Sequence, residues 1–100
     1  MLLEKIGKPA MLEQLAEECS ELTQAALKKA RILRRENPSP VTEEMANANL
    51  EEETADVLLC INELISAAEI HMASVEKIMT AKRKRMNARL EENINQRHEK

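Results

Sequence analysis

The sequence predicts an all-α fold, and three observations carry that expectation. Ala, Leu, Glu, Lys, Arg and Met dominate the 100 residues, a composition that favours helices. Turn and strand formers are scarce: one Gly, three Pro, and Val only at Val41, Val57 and Val75. Apolar residues also recur every three or four positions over long stretches. A chain of this length buries only roughly 60% of its unfolded surface. It has no Phe, Trp or Tyr, so each buried side chain contributes less. The expected architecture is a three-helix subunit that completes a four-helix-bundle-type core with further copies, as a homodimer or homotetramer.

The elements follow in order. The first helix is expected over about 9–36, because Pro9 suits a first turn that needs no intrahelical N–H. Leu12, Leu15, Cys19, Leu22, Ala26, Ala30 and Leu33 then mark one apolar stripe. Asn37-Pro38-Ser39-Pro40 stops that helix, since Pro38 pushes Asn37 out of helical geometry. Thr42 caps a second helix over about 42–68, with Glu43 and Glu44 favoured in its first turn by the helix dipole. Its stripe reads Ala46, Leu50, Glu53, Val57, Cys60 and Leu64. A break falls between Ala67 and Ser74, where no Gly or Pro fixes its position. The third helix is expected over about 73–92 on Val75, Ile78, Met79, Met86 and Leu90, with 93–100 as a frayed tail. The whole of 1–100 is expected as one helical domain, in which Cys19 and Cys60 pack as small apolar residues.

Several classes are excluded. No run of about 18 apolar residues is present, so no transmembrane helix is expected. The start MLLEKIGKPA lacks the layout of a signal peptide, and two cysteines are too few for a disulfide scaffold. A cytoplasmic protein is the expectation. Net charge is −3, which argues against a nucleic-acid partner. The charge is nevertheless segregated. Glu36 to Glu76 holds ten acidic residues and no Lys or Arg, whereas Lys77 to Arg89 holds six basic residues and no acid. Either the two stretches pair with each other, or a site needs both signs.

Carboxylates stand where apolar residues belong. Glu53 interrupts the stripe of the second helix, and Asp56, the single Asp of the chain, follows three residues later. Glu18 lies on the flank of the first stripe, with Glu21 three residues on. Residues at i and i+3 are neighbours on a helix, so each helix presents a pair. A hairpin about Asn37–Pro40 would bring the pairs face to face. They are either solvated glutamates on Glu-rich helices or a site for hard divalent cations, Mg²⁺ or Mn²⁺, which oxygen ligands suit. A di-iron bundle is excluded, since it requires Glu-x-x-His and the residues three before His71 and His98 are Ala68 and Asn95.

At these residues the chain resembles the MazG-like nucleoside triphosphate pyrophosphohydrolases. Glu17-Glu18-Cys19-Ser20-Glu21-Leu22 is similar to that family's EExxEL motif, and Glu52-Glu53-Thr54-Ala55-Asp56 to its EExxD motif. The resemblance spans roughly residues 9–90. It implies an all-α, Mg²⁺-dependent, oligomeric hydrolase that cleaves an NTP or dNTP to the monophosphate and pyrophosphate. It places Glu18, Glu21, Glu53 and Asp56 as metal ligands, with Glu17 and Glu52 as accompanying acids. Glu17, Glu18 and Glu52 are the candidate bases. The family's basic motif is matched by Lys82-Arg83-Lys84-Arg85 and Arg89. Among these, Lys82, Arg85 and Arg89 share one face and are the candidate phosphate ligands. Asn62 and Asn87 are candidate base or ribose contacts. The alternative is a non-enzymatic helical protein whose segregated acidic and basic faces drive self-assembly or partner binding.

Overall fold

The computed structural model describes residues 2–36 and 41–98. Among the described residues there are four helices and no strand: α1 (Leu2–Ile6), α2 (Lys8–Arg34), α3 (Glu43–Ser66) and α4 (Met72–His98). The chain divides into two compact units, Met1–Glu69 and Ile70–Lys100. Among the described residues no helix is long and apolar enough to cross a membrane.

The helix beyond the expected three is α1, and Gly7 separates it from α2. Gly7 sits at φ 87°, ψ 164°, a conformation nearly closed to residues with a Cβ. Its N–H still donates to the Leu3 carbonyl at 2.7 Å, and its own carbonyl accepts from Met11 N–H at 3.1 Å. One residue thus ends one helix and begins the next. Leu3 is buried, and the backbone N–H groups of Leu2 and Leu3 donate to the Glu63 carboxylate at 3.2 and 3.5 Å. That carboxylate satisfies orphan donors at the start of α1.

α2 and α3 form an antiparallel hairpin that carries the core of the first unit. Lys29 near the end of α2 reaches Glu43 and Asn47 near the start of α3, while Glu18 and Glu21 meet Asp56 and Glu53 further along. Met11, Ala25, Ala46, Val57, Cys60 and Leu64 are buried. On α2 the inward positions are 11, 15, 18, 22, 25, 29 and 32, alternating steps of four and three. The expected stripe is rotated from this one: Leu12, Cys19, Ala26 and Leu33 are exposed, whereas Leu15, Leu22 and Ala30 are half-buried. The two stripes lie side by side on a broad apolar face, and a single facing helix covers only one of them. Cys19 is therefore not a packing residue in this unit, whereas Cys60 is.

Thr42 caps α3, its hydroxyl accepting from Met45 N–H at 3.1 Å. The helix ends at Ser66, two residues short of the expected 68. Ala68 N–H donates to Ile65 O and Glu69 N–H to Leu64 O, with Ala68 left-handed at φ 60°. This is a Schellman-type stop built on Ala instead of Gly, which explains why no Gly or Pro announced it. α2 ends at Arg34, also two residues early, with Arg35 left-handed at φ 58°. The expected stop at Asn37–Pro40 lies outside the described residues. In the second unit α4 runs to His98, through 93–98 where a frayed tail was expected. That stretch holds no Gly or Pro, and Arg97 and His98 in the last turn suit the helix dipole.

Gly7 and Ala68 make opposite predictions. Gly7→Ala forces a Cβ into a Gly-only conformation and is expected to cost about 1–3 kcal/mol. The added Cβ itself meets only Pro9 Cδ at 4.0 Å, so the loss comes from the backbone. Ala68→Gly relieves a left-handed Ala and is expected to stabilise by about 1 kcal/mol. Urea melts followed by circular dichroism check both signs.

Candidate metal centre

The hairpin brings Glu18, Glu21, Glu53 and Asp56 together. One carboxylate oxygen from each lies within 4.8 Å of all the others. The antiparallel register produces this directly, since the i, i+3 pair on α2 runs against the i, i+3 pair on α3. Glu18, Glu53 and Asp56 are half-buried and Glu21 is exposed. Glu18 therefore stands within the inward stripe of α2, not on its flank.

Hydrogen bonding leaves the cluster incomplete. The Gln14 side-chain amide donates to Glu18 Oε1 at 2.7 Å. Glu18 Oε2 and Glu53 Oε2 are shielded from solvent and have no hydrogen-bond partner. A shielded carboxylate oxygen with nothing to accept from costs free energy. This crowding shifts two of the carboxyls. Gln14 holds the Glu18 carboxyl down, but desolvation and the charges of Glu21 and Asp56 outweigh it and push the pKa above the ordinary value of 4.5. Glu21 is raised as well, first by a hydrogen bond shared with Glu53, then by the Glu53 charge and by desolvation. Burial also pushes the Cys60 thiol up, helped by the charges of Glu18 and Asp56.

The donor set is chemically uniform: four carboxylate oxygens, with no nitrogen or sulfur. Such a set fits a hard divalent cation and suits softer metals poorly.

The other sequence candidates fall elsewhere. Glu17 and Glu52 are exposed beside the cluster, and Glu17 is close enough to raise the Glu21 carboxyl. Asn62 is exposed on α3 and outside the cluster. Lys82, Arg85 and Arg89 lie with Met86 along one face of α4, and Asn87 is exposed on the same helix. The structure also exposes residues that the motifs do not include. A cleft of about 400 Å³ between α2 and α3 takes in Glu21 and Glu53 and continues past Asn49 to Lys28 and Arg31. The spacing held a clue, because Glu21, Gln24, Lys28 and Arg31 step by three and four along one face of α2. Gln14, one turn before Glu18, was legible in the same way.

Comparison with protein-family models, curated proteins and solved structures finds no match for this chain.

The raised Glu18 and Glu21 carboxyls fix the sign of a pH effect. Their folded pKa values lie above 4.5, so the folded state holds protons that the unfolded chain has released. Stability from this source is complete below about 4.5 and is lost as pH rises through the folded values. In EDTA the melting temperature of the wild type is expected to fall across that window more steeply than that of Glu18→Gln/Glu21→Gln. Melting curves from about pH 4 to pH 8 check the slopes. Equal slopes would contradict the electrostatic account of the cluster.

Proposed function

We propose that the protein is a Mg²⁺-dependent nucleoside triphosphate pyrophosphohydrolase, releasing a monophosphate and pyrophosphate. The convergence of Glu18, Glu21, Glu53 and Asp56 supports this reading, together with two shielded carboxylate oxygens that have no hydrogen-bond partner among the described residues. The resemblance to the MazG-like motifs names those same four residues. Magnesium, or manganese in its place, would be held by these carboxylates and would supply charge neutralisation for phosphate oxygens and acidification of water.

The chain's own groups then have separable tasks. Gln14 fixes the orientation of Glu18 through its 2.7 Å hydrogen bond. Attack of water on a phosphoanhydride requires a carboxylate to take the water's proton. Glu17 and Glu52 stand beside the cluster without a hydrogen bond or ion pair among the described residues, and so are free for that role. Glu18, inside the cluster, is the better ligand. Lys82, Arg85 and Arg89, which share one face within the stretch that matches the family's basic motif, are the proposed phosphate ligands, and Asn62 and Asn87 the proposed base or ribose contacts. The proposed assembly is a homodimer or homotetramer, supported by the uncovered α2 stripe of Leu12, Cys19, Ala26 and Leu33 and by Leu58 and Leu59, which are 52% and 63% exposed. Light scattering reads this as a multiple of the 11.4 kDa chain mass.

A panel of NTPs and dNTPs, assayed for pyrophosphate release with and without Mg²⁺, tests the activity. Turnover of at least one member is expected with Mg²⁺ and none in EDTA. Glu53→Gln is expected to lower kcat by about a hundredfold or more. It is also expected to shrink the Mg²⁺-induced stabilisation, which reaches about 2.7 kcal/mol at a hundredfold excess over Kd. Full activity in Glu53→Gln would refute the site. Inactivity across the panel would favour the partner-binding alternative.

A further inference from the structure

The cleft that begins at the carboxylates changes sign along its length. Glu21 and Glu53 line one end, and Lys28 and Arg31 line the other, with Asn49 of α3 between them. We infer that the second half of this cleft is a polyphosphate subsite, in which Lys28 and Arg31 hold the phosphate oxygens of a di- or triphosphate whose metal-bearing end rests at Glu18, Glu21, Glu53 and Asp56. The inference deepens the proposed activity and rests on it.

Three observations support the assignment. The first is the contrast with the adjacent cation. Lys29 forms an ion pair with Glu43 at 3.1 Å, donates to Asn47, and has a side chain only 16% exposed. It belongs to the hairpin. Lys28 and Arg31 are exposed on the cleft face and make no ion pair among the described residues, although α3 is rich in Glu. The second is direction. Side chains on a helix tilt towards its N-terminus, so Lys28 and Arg31 lean towards Glu21, which lies about 10 and about 15 Å away along the axis. The third is charge balance. A site of four carboxylates repels a polyanion, and a divalent ion offsets only part of that repulsion. Two cations within the same unit supply the remainder, and Arg adds a planar fork suited to phosphate. The sequence motifs place the phosphate ligands only on α4. The cleft puts two more on α2.

The test measures binding without turnover. Calorimetry with inorganic pyrophosphate, tripolyphosphate and an α,β-imido nucleoside triphosphate, each with Mg²⁺, gives Kd for the wild type, Lys28→Gln, Arg31→Gln and the double variant. The double variant is expected to bind all three at least about tenfold more weakly, the loss typical of charge-assisted phosphate contacts. Its Kd for Mg²⁺ alone should stay within about twofold of wild type, because the metal ligands are untouched. Its melting temperature should be unchanged, since exposed unpaired cations contribute little to stability. Pyrophosphate binding that depends on Mg²⁺ but is equal in wild type and double variant would overturn this inference and leave the metal reading intact. A loss confined to the imido nucleotide would also overturn it, by placing Lys28 and Arg31 on the nucleoside. A wild type that binds neither Mg²⁺ nor Mg²⁺-pyrophosphate would overturn both.

Discussion

Mutual repulsion among four carboxylates is the constraint around which the first unit is arranged. Leucines at 18, 21, 53 and 56 would make α2 and α3 an ordinary apolar hairpin. Instead the seam between the helices carries Glu18, Glu53 and Asp56, with Glu21 at its edge. Their proximity disfavours full ionisation, as the raised Glu18 and Glu21 carboxyls show. The rest of the hairpin compensates on either side. Met11 and Leu64, the largest fully buried side chains, lie beyond one end of the cluster, and Ala25 and Ala46 lie beyond the other. The Lys29 link to Glu43 and Asn47 secures the register near the turn. A slip of one residue along either helix would separate the carboxylates, so the packing that fixes register also fixes the site.

The small residues of the seam have a second consequence. Ala25 lines the cleft and has little side chain to fill it, which leaves room there beside Lys28, Arg31 and Asn49. Larger residues there would fill that space and gain roughly 25 cal/mol per Å² of apolar area removed from water. The hairpin forgoes that stabilisation and keeps the cleft. α1 recovers part of it by burying Leu3 and tying its first N–H groups to Glu63.

Much of this was legible in the sequence, and the parts that were not have identifiable causes. Helix content followed from composition, and the α3 stripe from its three-and-four spacing. The four-carboxylate set was legible because Glu-x-x-Glu and Glu-x-x-Asp each span about one turn, so an antiparallel hairpin can set the two pairs opposite each other. The α2 stripe was not, because apolar residues fill two adjacent seven-residue tracks and only the partner helix selects between them. Gly7 does not announce a joint, because a lone Gly two residues before Pro9 resembles an ordinary lead-in to a helix. The break expected between Ala67 and Ser74 is present at 67–71, but its exact position was not legible, since Ala is a strong helix former and its left-handed geometry is imposed by the structure around it. The role of Lys28 was hidden by its neighbour: in Lys28-Lys29 the sequence does not reveal which cation is tied to the hairpin.

The central claim is that the four carboxylates form a cation site and are not merely a cluster of partly protonated acids. Titration of the protein with Mn²⁺, followed by the loss of the free-ion signal in electron paramagnetic resonance, tests it most directly. The account predicts saturable binding by the wild type, displaced by Mg²⁺ and abolished in Glu53→Gln/Asp56→Asn, with the helical signal of the variant intact. A free Mn²⁺ signal that titrates identically in the two proteins would contradict it.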